Sequence, residues 1–340
     1  MKSETPGHVE KVAIVGATGN IGSSFTQALL NTGKHTVTAL VRPESKGKVP
    51  EGVKVVRSDF NNESSLVEAL KGQEVLIITL STMAPLEVHD RLVVAAKKAG
   101  VRYVVPNLYG YPIDRSNSQN GESNGNSYDQ VFLDRYPYIQ KFLDKVTEIE
   151  SDGLRWFVLA TGFWYEWSLA LGEQCFGFNI KDRRVTFFDD GKRTITTTTW
   201  AQCGRAMAAL LSLPQQGPSA SPSLVDFLGT QVRVGSFRVS QRDMLDSLNR
   251  VLGTTDADWE IKYESSKKRV KDGIEALEKG NKVGFAKALY SSVFDPSYKQ
   301  GDYGAVEPLA NDALRLPKED LDEATRKVVA MIESGWNPWS

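Results

Sequence analysis

The seven residues Gly16-Ala17-Thr18-Gly19-Asn20-Ile21-Gly22 stand between a β-branched run, residues 12–15, and a stretch with helical apolar spacing, residues 21–30. No other feature restricts the fold as much. A strand that turns straight into a helix needs Gly16 for the tight turn, Gly19 where the backbone approaches a bound group, and Gly22 where helix and strand touch. The first helical turn then offers N–H groups without intrahelical partners and a partial positive charge, which suits a phosphate. With a second strand at residues 36–41, the motif opens a βαβ unit of about 30 residues, the context in which such glycine spacing carries meaning. The expectation is a dinucleotide pyrophosphate held by Gly16, Thr18, Gly19, Asn20, Ile21 and Gly22.

Strand and helix patterns keep alternating beyond this unit. Strands are expected at 53–57, 75–80, 103–105 and 156–160, with helices at 64–70 and 86–98. Apolar strands without polar alternation are buried on both faces, so the chain predicts a doubly wound, parallel Rossmann sheet. At 340 residues it exceeds one average domain. The division expected is a polar tail at 1–10, a dinucleotide-binding domain at 11–162, and a smaller mixed α/β region at 163–340 that carries most of the substrate contacts and interleaves strands with the first. Ligands of a doubly wound sheet lie beyond the carboxyl ends of its strands. That rule selects Leu80, Ser81 and Thr82, then Asn107, Leu108 and Tyr109, then Gly162, Phe163 and Trp164.

The second strand ends in Arg42, where an acidic residue would bind a ribose 2′-hydroxyl. A guanidinium suits a 2′-phosphate instead, because its planar fork pairs with phosphate oxygens and stacks on adenine. NADP is therefore expected over NAD. Lys46 and Lys48 lie close enough in sequence to add charge, and Asp59 stands where it can reach the adenine edge.

Residues 114–127 are polar and read as a long surface loop that is either a lid or a disordered excursion. A helix follows from Pro137 to Gly153. Later, Asp190-Gly191 between residues 185–188 and 194–199 predicts a hairpin, and Ser240 predicts the N-cap of a helix at 241–252. Further helices are expected at 200–211, 267–278, 283–294 and 318–333, with the charges of 267–279 on a solvated face. The aromatic segment 163–167 includes Trp164 and Trp167. With Tyr109 and Tyr111, these rings either wall a flat substrate or join two parts of the core.

The remaining composition mainly excludes. Forty-one Lys and Arg against 42 Asp and Glu leave a net charge of −1, which argues against nucleic acid or an anionic membrane as partner. Two cysteines make no disulfide framework, and the three histidines, His8, His35 and His89, share no metal-ligand spacing with them. Each histidine reads as a surface or satisfied one. Without an apolar leader or a long apolar run, a cytoplasmic protein is expected, as monomer or homodimer.

The glycine motif, Arg42, the stretch VVPNLYG at 104–110 and TGFW at 161–164 resemble fungal members of the NmrA-like and isoflavone reductase-like family, atypical short-chain dehydrogenases. The resemblance runs from about residue 11 to 205, and VSQRDMLDSLNRVLG at 239–253 is similar to a later helix of the family. It implies NADPH-dependent reduction of a small aromatic, phenolic or polyketide-like compound, with a lysine before the sixth strand acting near the nicotinamide. Lys141 is the best match to that lysine and Lys145 the next. A lysine there can hydrogen-bond the nicotinamide ribose and deliver a proton, and Tyr109 is a second candidate acid. The Tyr and Lys four residues apart of ordinary short-chain dehydrogenases are missing, since Pro137 stands four before Lys141. Gln202-Cys203 also replaces the acidic residue that usually precedes the glycine matching Gly204. Two other functions fit the same resemblance: a dinucleotide-sensing regulator with a protein partner, and a non-redox isomerase or cyclase.

Overall fold

The computed structural model describes residues 7–81, 84–113, 153–217 and 221–337. The start of the polar tail, Thr82, the 114–127 loop, and the segment carrying Pro137, Lys141 and Lys145 lie outside the described residues.

From the N-terminus the elements are β1 (Lys11–Val15), α1 (Asn20–Asn31), β2 (Thr36–Val41), β3 (Lys54–Arg57), α2 (Glu63–Leu70), β4 (Val75–Ile78), α3 (Leu86–Lys98), β5 (Tyr103–Val105) and β6 (Arg155–Trp156). The six strands form one parallel sheet in the order β3-β2-β1-β4-β5-β6, with Val12 in register between Val37 and Val75. This is the order of a dinucleotide-binding doubly wound sheet. Alternate side chains of β1 leave on opposite faces. Val12 and Ile14 pack with Phe25 and Leu29 of α1, whereas Ala13 and Val15 pack with Leu66 of α2 and Leu92 of α3.

The chain continues through β7 (Val158–Ala160), β8 (Phe163–Trp164), α4 (Tyr165–Ala170), β9 (Phe178–Asn179), β10 (Arg184–Phe188), β11 (Ile195–Thr198) and α5 (Trp200–Ser212). Then come β12 (Gln231–Arg233), β13 (Phe237–Val239), α6 (Gln241–Leu252), β14 (Glu260–Glu264), α7 (Ser266–Glu278), α8 (Val283–Phe294), α9 (Tyr303–Val306) and α10 (Leu321–Glu333). The strand expected at 156–160 is two short ones: β6 lies on β5, and β7 runs parallel to β12. Two further sheets, β14-β10-β9 and β13-β11-β8, enclose a second core around Tyr165, Phe176, Phe188, Tyr290 and Phe294.

The hairpin expected around Asp190-Gly191 does not form. The turn itself exists, with Asp189 and Gly191 at positive φ and the Gly191 N–H on the Phe188 carbonyl. Both edges of β10 are already taken, by β14 and β9, so β11 leaves for another sheet between β13 and β8. Helix α5, although it belongs to the later half of the chain, buries Cys203, Met207 and Leu210 in the core of the first sheet. The last helix starts at Leu321 rather than 318, because Pro317 precedes it and Asp320 accepts the Glu323 N–H as N-cap. On α7 most charges face solvent, but Arg269 is a correction. Its side chain is buried, paired with Glu264, bonded to Ser291 and to the Glu173 carbonyl, and stacked over Phe188. Among the described residues, no helix is long and apolar enough to cross a membrane.

Candidate functional site

Two glycines are fixed by contact. A Cβ on Gly16, whose φ is +80°, would lie 2.0 Å from the Thr79 carbonyl oxygen, and one on Gly22 would lie 2.1 Å from the Gly16 oxygen. A side chain at either position would push α1 off the strand ends. At Gly19 the same test meets only the Gly16 oxygen, at 3.4 Å, so the outer side of the loop is open to a bound group. Gly19 is also the N-cap of α1, without a side-chain cap and without an acidic residue in the first turn. A cradle closed by backbone on its inner side and open on its outer side fits a pyrophosphate.

The loop after β2 folds back on this cradle: a Cβ on Gly47 would be 3.1 Å from Thr18 Oγ1. Arg42 heads the loop with 68% of its side chain exposed, its Nε 3.3 Å from Glu44. An exposed pair of this kind holds the guanidinium weakly, so an anion can compete for it. Lys46 is exposed nearby. Arg57, at the end of β3, donates from Nη1 to the carbonyls of Arg42 (3.3 Å), Pro43 (2.7 Å) and Ser45 (3.1 Å). Sequence reading missed it. Its signal is the register that sets Arg57 beside Val41, visible only once β2 and β3 are paired. Asp59 is exposed and accepts the Asn61 N–H.

At the carboxyl ends of β4 and β5, Asn107 Nδ2 donates to the Leu80 carbonyl (3.2 Å), and its backbone N–H faces His89 Nε2 (3.4 Å). His89 is 1% exposed, and burial pushes its pKa down to about 4, so the ring is neutral and accepts. It shares the buried stripe of α3 with Leu92, Val93 and Ala96. Ser81 is exposed and Leu108 buried. Tyr109, expected as a proton donor, is buried; its hydroxyl donates to the Ile78 carbonyl (2.8 Å) and its ring meets Phe25. Thr161 and Gly162 both donate N–H groups to the Gly110 carbonyl, which draws the end of β7 to the same edge.

The aromatic segment divides. Phe163 stacks on Tyr290 at 3.8 Å and meets Tyr111 edge-on, and the Tyr111 hydroxyl donates to the Thr196 carbonyl. Those rings join the second core. Trp164 and Trp167 instead gather with Trp200 and Trp336, with ring centroids 5.6–6.5 Å apart. Beside them Glu166 is buried; its Oε2 accepts the Trp200 N–H (3.0 Å), and burial pushes its pKa up to about 7. Where the family pattern has an acid before Gly204, Gln202 donates to the Pro317 carbonyl and accepts from Arg205. The acidic group at this helix start is Glu319, which accepts from Thr199, Ser236 and Arg205. Structure thus brings the glycine loop, Arg42, Leu80 and Asn107 to the carboxyl edge of one sheet, and Gly162, just after β7 of a separate two-stranded sheet, is tied to the chain that leaves β5 through the Gly110 carbonyl.

Strand order and cradle together define a dinucleotide-binding α/β protein. Residues 16–170 match a family profile described as NAD(P)H-binding. Oxidoreductase aprR of Aspergillus flavus is 30% identical over 326 residues, covering 96% of this chain and 99% of its own length. Among solved structures, an isoflavone reductase crystal structure superposes with a TM-score of 0.68 at 20% identity, covering 94% of this chain and 99% of that one. AtPrR2, in a structure with NADP+ and (+)-pinoresinol, gives a TM-score of 0.67 at 17% identity, covering 95% and 99%. The chain belongs to the same family as the oxidoreductase aprR, carries an NAD(P)H-binding domain and shares the fold of isoflavone reductase.

Proposed function

We propose that the protein reduces a small aromatic or phenolic compound with NADPH. The observation that carries the choice of NADPH is Arg42: an exposed guanidinium at the carboxyl end of β2, on a loop that Arg57 clamps and that closes on Thr18. Gly16 to Gly22 would hold the pyrophosphate, Arg42 with Lys46 the 2′-phosphate, and Leu80, Ser81, Asn107, Leu108, Gly162 and Phe163 the nicotinamide side. When bound, the cofactor supplies the hydride.

Other steps belong to the chain's own residues. Lys141 is the group we assign to hold a proton at Nζ for the reduced substrate, with Lys145 next in line. Tyr109, by anchoring the 107–111 turn to β4, keeps Asn107 against Leu80. Trp164 and Trp167 are assigned to the substrate wall, where a flat ring excludes water, whereas Tyr111, 1% exposed, belongs to the second core. Support for an aromatic substrate comes from the neighbour whose structure holds (+)-pinoresinol.

The test is turnover of a panel of phenolic and aromatic ketone or ether compounds with NADPH, read by loss of reduced-nicotinamide absorbance and by product mass. A product heavier by two hydrogens supports the reading. A product of unchanged mass assigns an isomerase, and binding without turnover across the panel assigns a sensor.

A further inference from the structure

A cleft of about 760 Å³ runs between the outer faces of α1 and α5, roofed by residues 314–317 and closed at one end by Glu166 and Trp200. Its volume lies within the usual range for small-molecule sites, about 300–1,000 Å³. The cleft exists because side chains are small where the two helices face each other: Ala28 on α1, and Ala201, Ala208 and Ala209 on α5. Gly204 sets the close approach, since a Cβ there would lie 2.5 Å from the Ser24 carbonyl oxygen. From Ser24 to Asn31 and Thr32 the cleft runs along α1 away from Gly19, so it is separate from the pyrophosphate cradle.

Its chemistry is that of a receptor for an anion with an apolar body. Leu314, Leu316 and Pro317 supply apolar surface, while Arg205, Arg315 and Lys327 supply positive charge. Arg205 is paired with Glu319, but neither Arg315 nor Lys327 has an ion-pair partner among the described residues. The facing carboxyl, Glu166, accepts the Trp200 backbone N–H and feels the Lys327 charge, which favours its ionised form, while burial pushes its pKa up to about 7. The Trp200 side chain closes that end of the cleft.

We propose that this cleft is a second ligand site, apart from the dinucleotide cradle, and that it takes a small carboxylate with a flat apolar body. The carboxylate meets Arg315 and Lys327, and the ring lies on Ala28, Ala209 and Leu316.

Isothermal titration of the full chain, saturated with NADP+, with naphthoate and with neutral naphthamide tests this. One naphthoate should bind per chain, with naphthamide weaker by about tenfold or more. The double variant Arg315→Met and Lys327→Met should erase that preference, and Ala209→Phe, which fills the cleft, should abolish binding. Unchanged NADPH affinity in each variant reports that it is folded. No binding of naphthoate, equal binding of the two probes, or naphthoate binding that survives both variants would overturn the proposal; in the last case the probe sits elsewhere on the protein.

Discussion

Arg42 and Arg57 show how differently two arginines one strand apart disclose themselves. Arg42 is legible because a strand end in a βαβ unit is a fixed place relative to the ribose, whatever the rest of the chain does. Arg57 acts through the three carbonyls it clamps, and those come within its reach only through the pairing of β2 with β3. Arg57→Ala should free the 42–45 loop and weaken NADPH binding by about tenfold, with a stability loss of about 1–2 kcal/mol, read by fluorescence titration and by urea unfolding. The glycines make a sharper case. Gly22→Ala sets a methyl 2.1 Å from the Gly16 oxygen, so α1 must shift. A stability loss of about 1–3 kcal/mol and loss of NADPH binding are expected, measured as a lower Tm and a flat titration.

At the scale of elements, several local signals are legible in the sequence and pairing partners are not. Ser240 is the N-cap of α6 as expected, its Oγ accepting the Asp243 N–H while Asp243 reaches back to the Ser240 N–H, and Gly253 ends the helix in the left-handed region. Those features lie within one helix and its two caps and need no tertiary structure. Ser240→Ala should therefore cost about 1 kcal/mol, seen as a lower urea midpoint at unchanged m. The turn at Asp190-Gly191 was equally visible, but whether it makes a hairpin depends on β14, some seventy residues later, already occupying an edge of β10. Likewise the helical spacing of 200–211 gave the existence of α5, and its apolar face gave no hint that it would pack beside α1 under the first sheet. The aromatic run 163–167 was ambiguous for the same reason: strand alternation sends Phe163 and Trp164 to different cores, which composition does not encode.

Glu166 and His89 are buried titrating groups whose effects on the stability of the whole molecule oppose each other. Glu166 is raised by burial from 4.5 to about 7, so its contribution is full below pH 4.5 and is lost as pH rises through 7. His89 is lowered from 6.5 to about 4, so its contribution is full above pH 6.5 and is lost as pH falls through 4, and His35, also lowered by burial, adds to that side. Between about pH 4.5 and 6.5 the Glu166 and His89 slopes are each about 1.4 kcal/mol per pH unit and of opposite sign. Glu166→Gln should make stability rise more steeply with pH across this window, and His89→Gln should make it rise less or fall, in denaturant unfolding followed at several pH values. At this scale the sheet and its cofactor edge were legible because continuous apolar strands and one glycine loop define them. The later part of the chain is assembled from short strands of three sheets, and residue spacing alone does not specify its shape. The central claim, that this edge holds NADPH through Arg42, is tested most directly by titrating NADPH and NADH into the parent protein and into Arg42→Glu. NADPH should bind the parent more tightly than NADH by about ten- to a hundredfold, and the variant should lose that preference while still binding NADH. Equal affinities in the parent, or a preference that survives in Arg42→Glu, would contradict it.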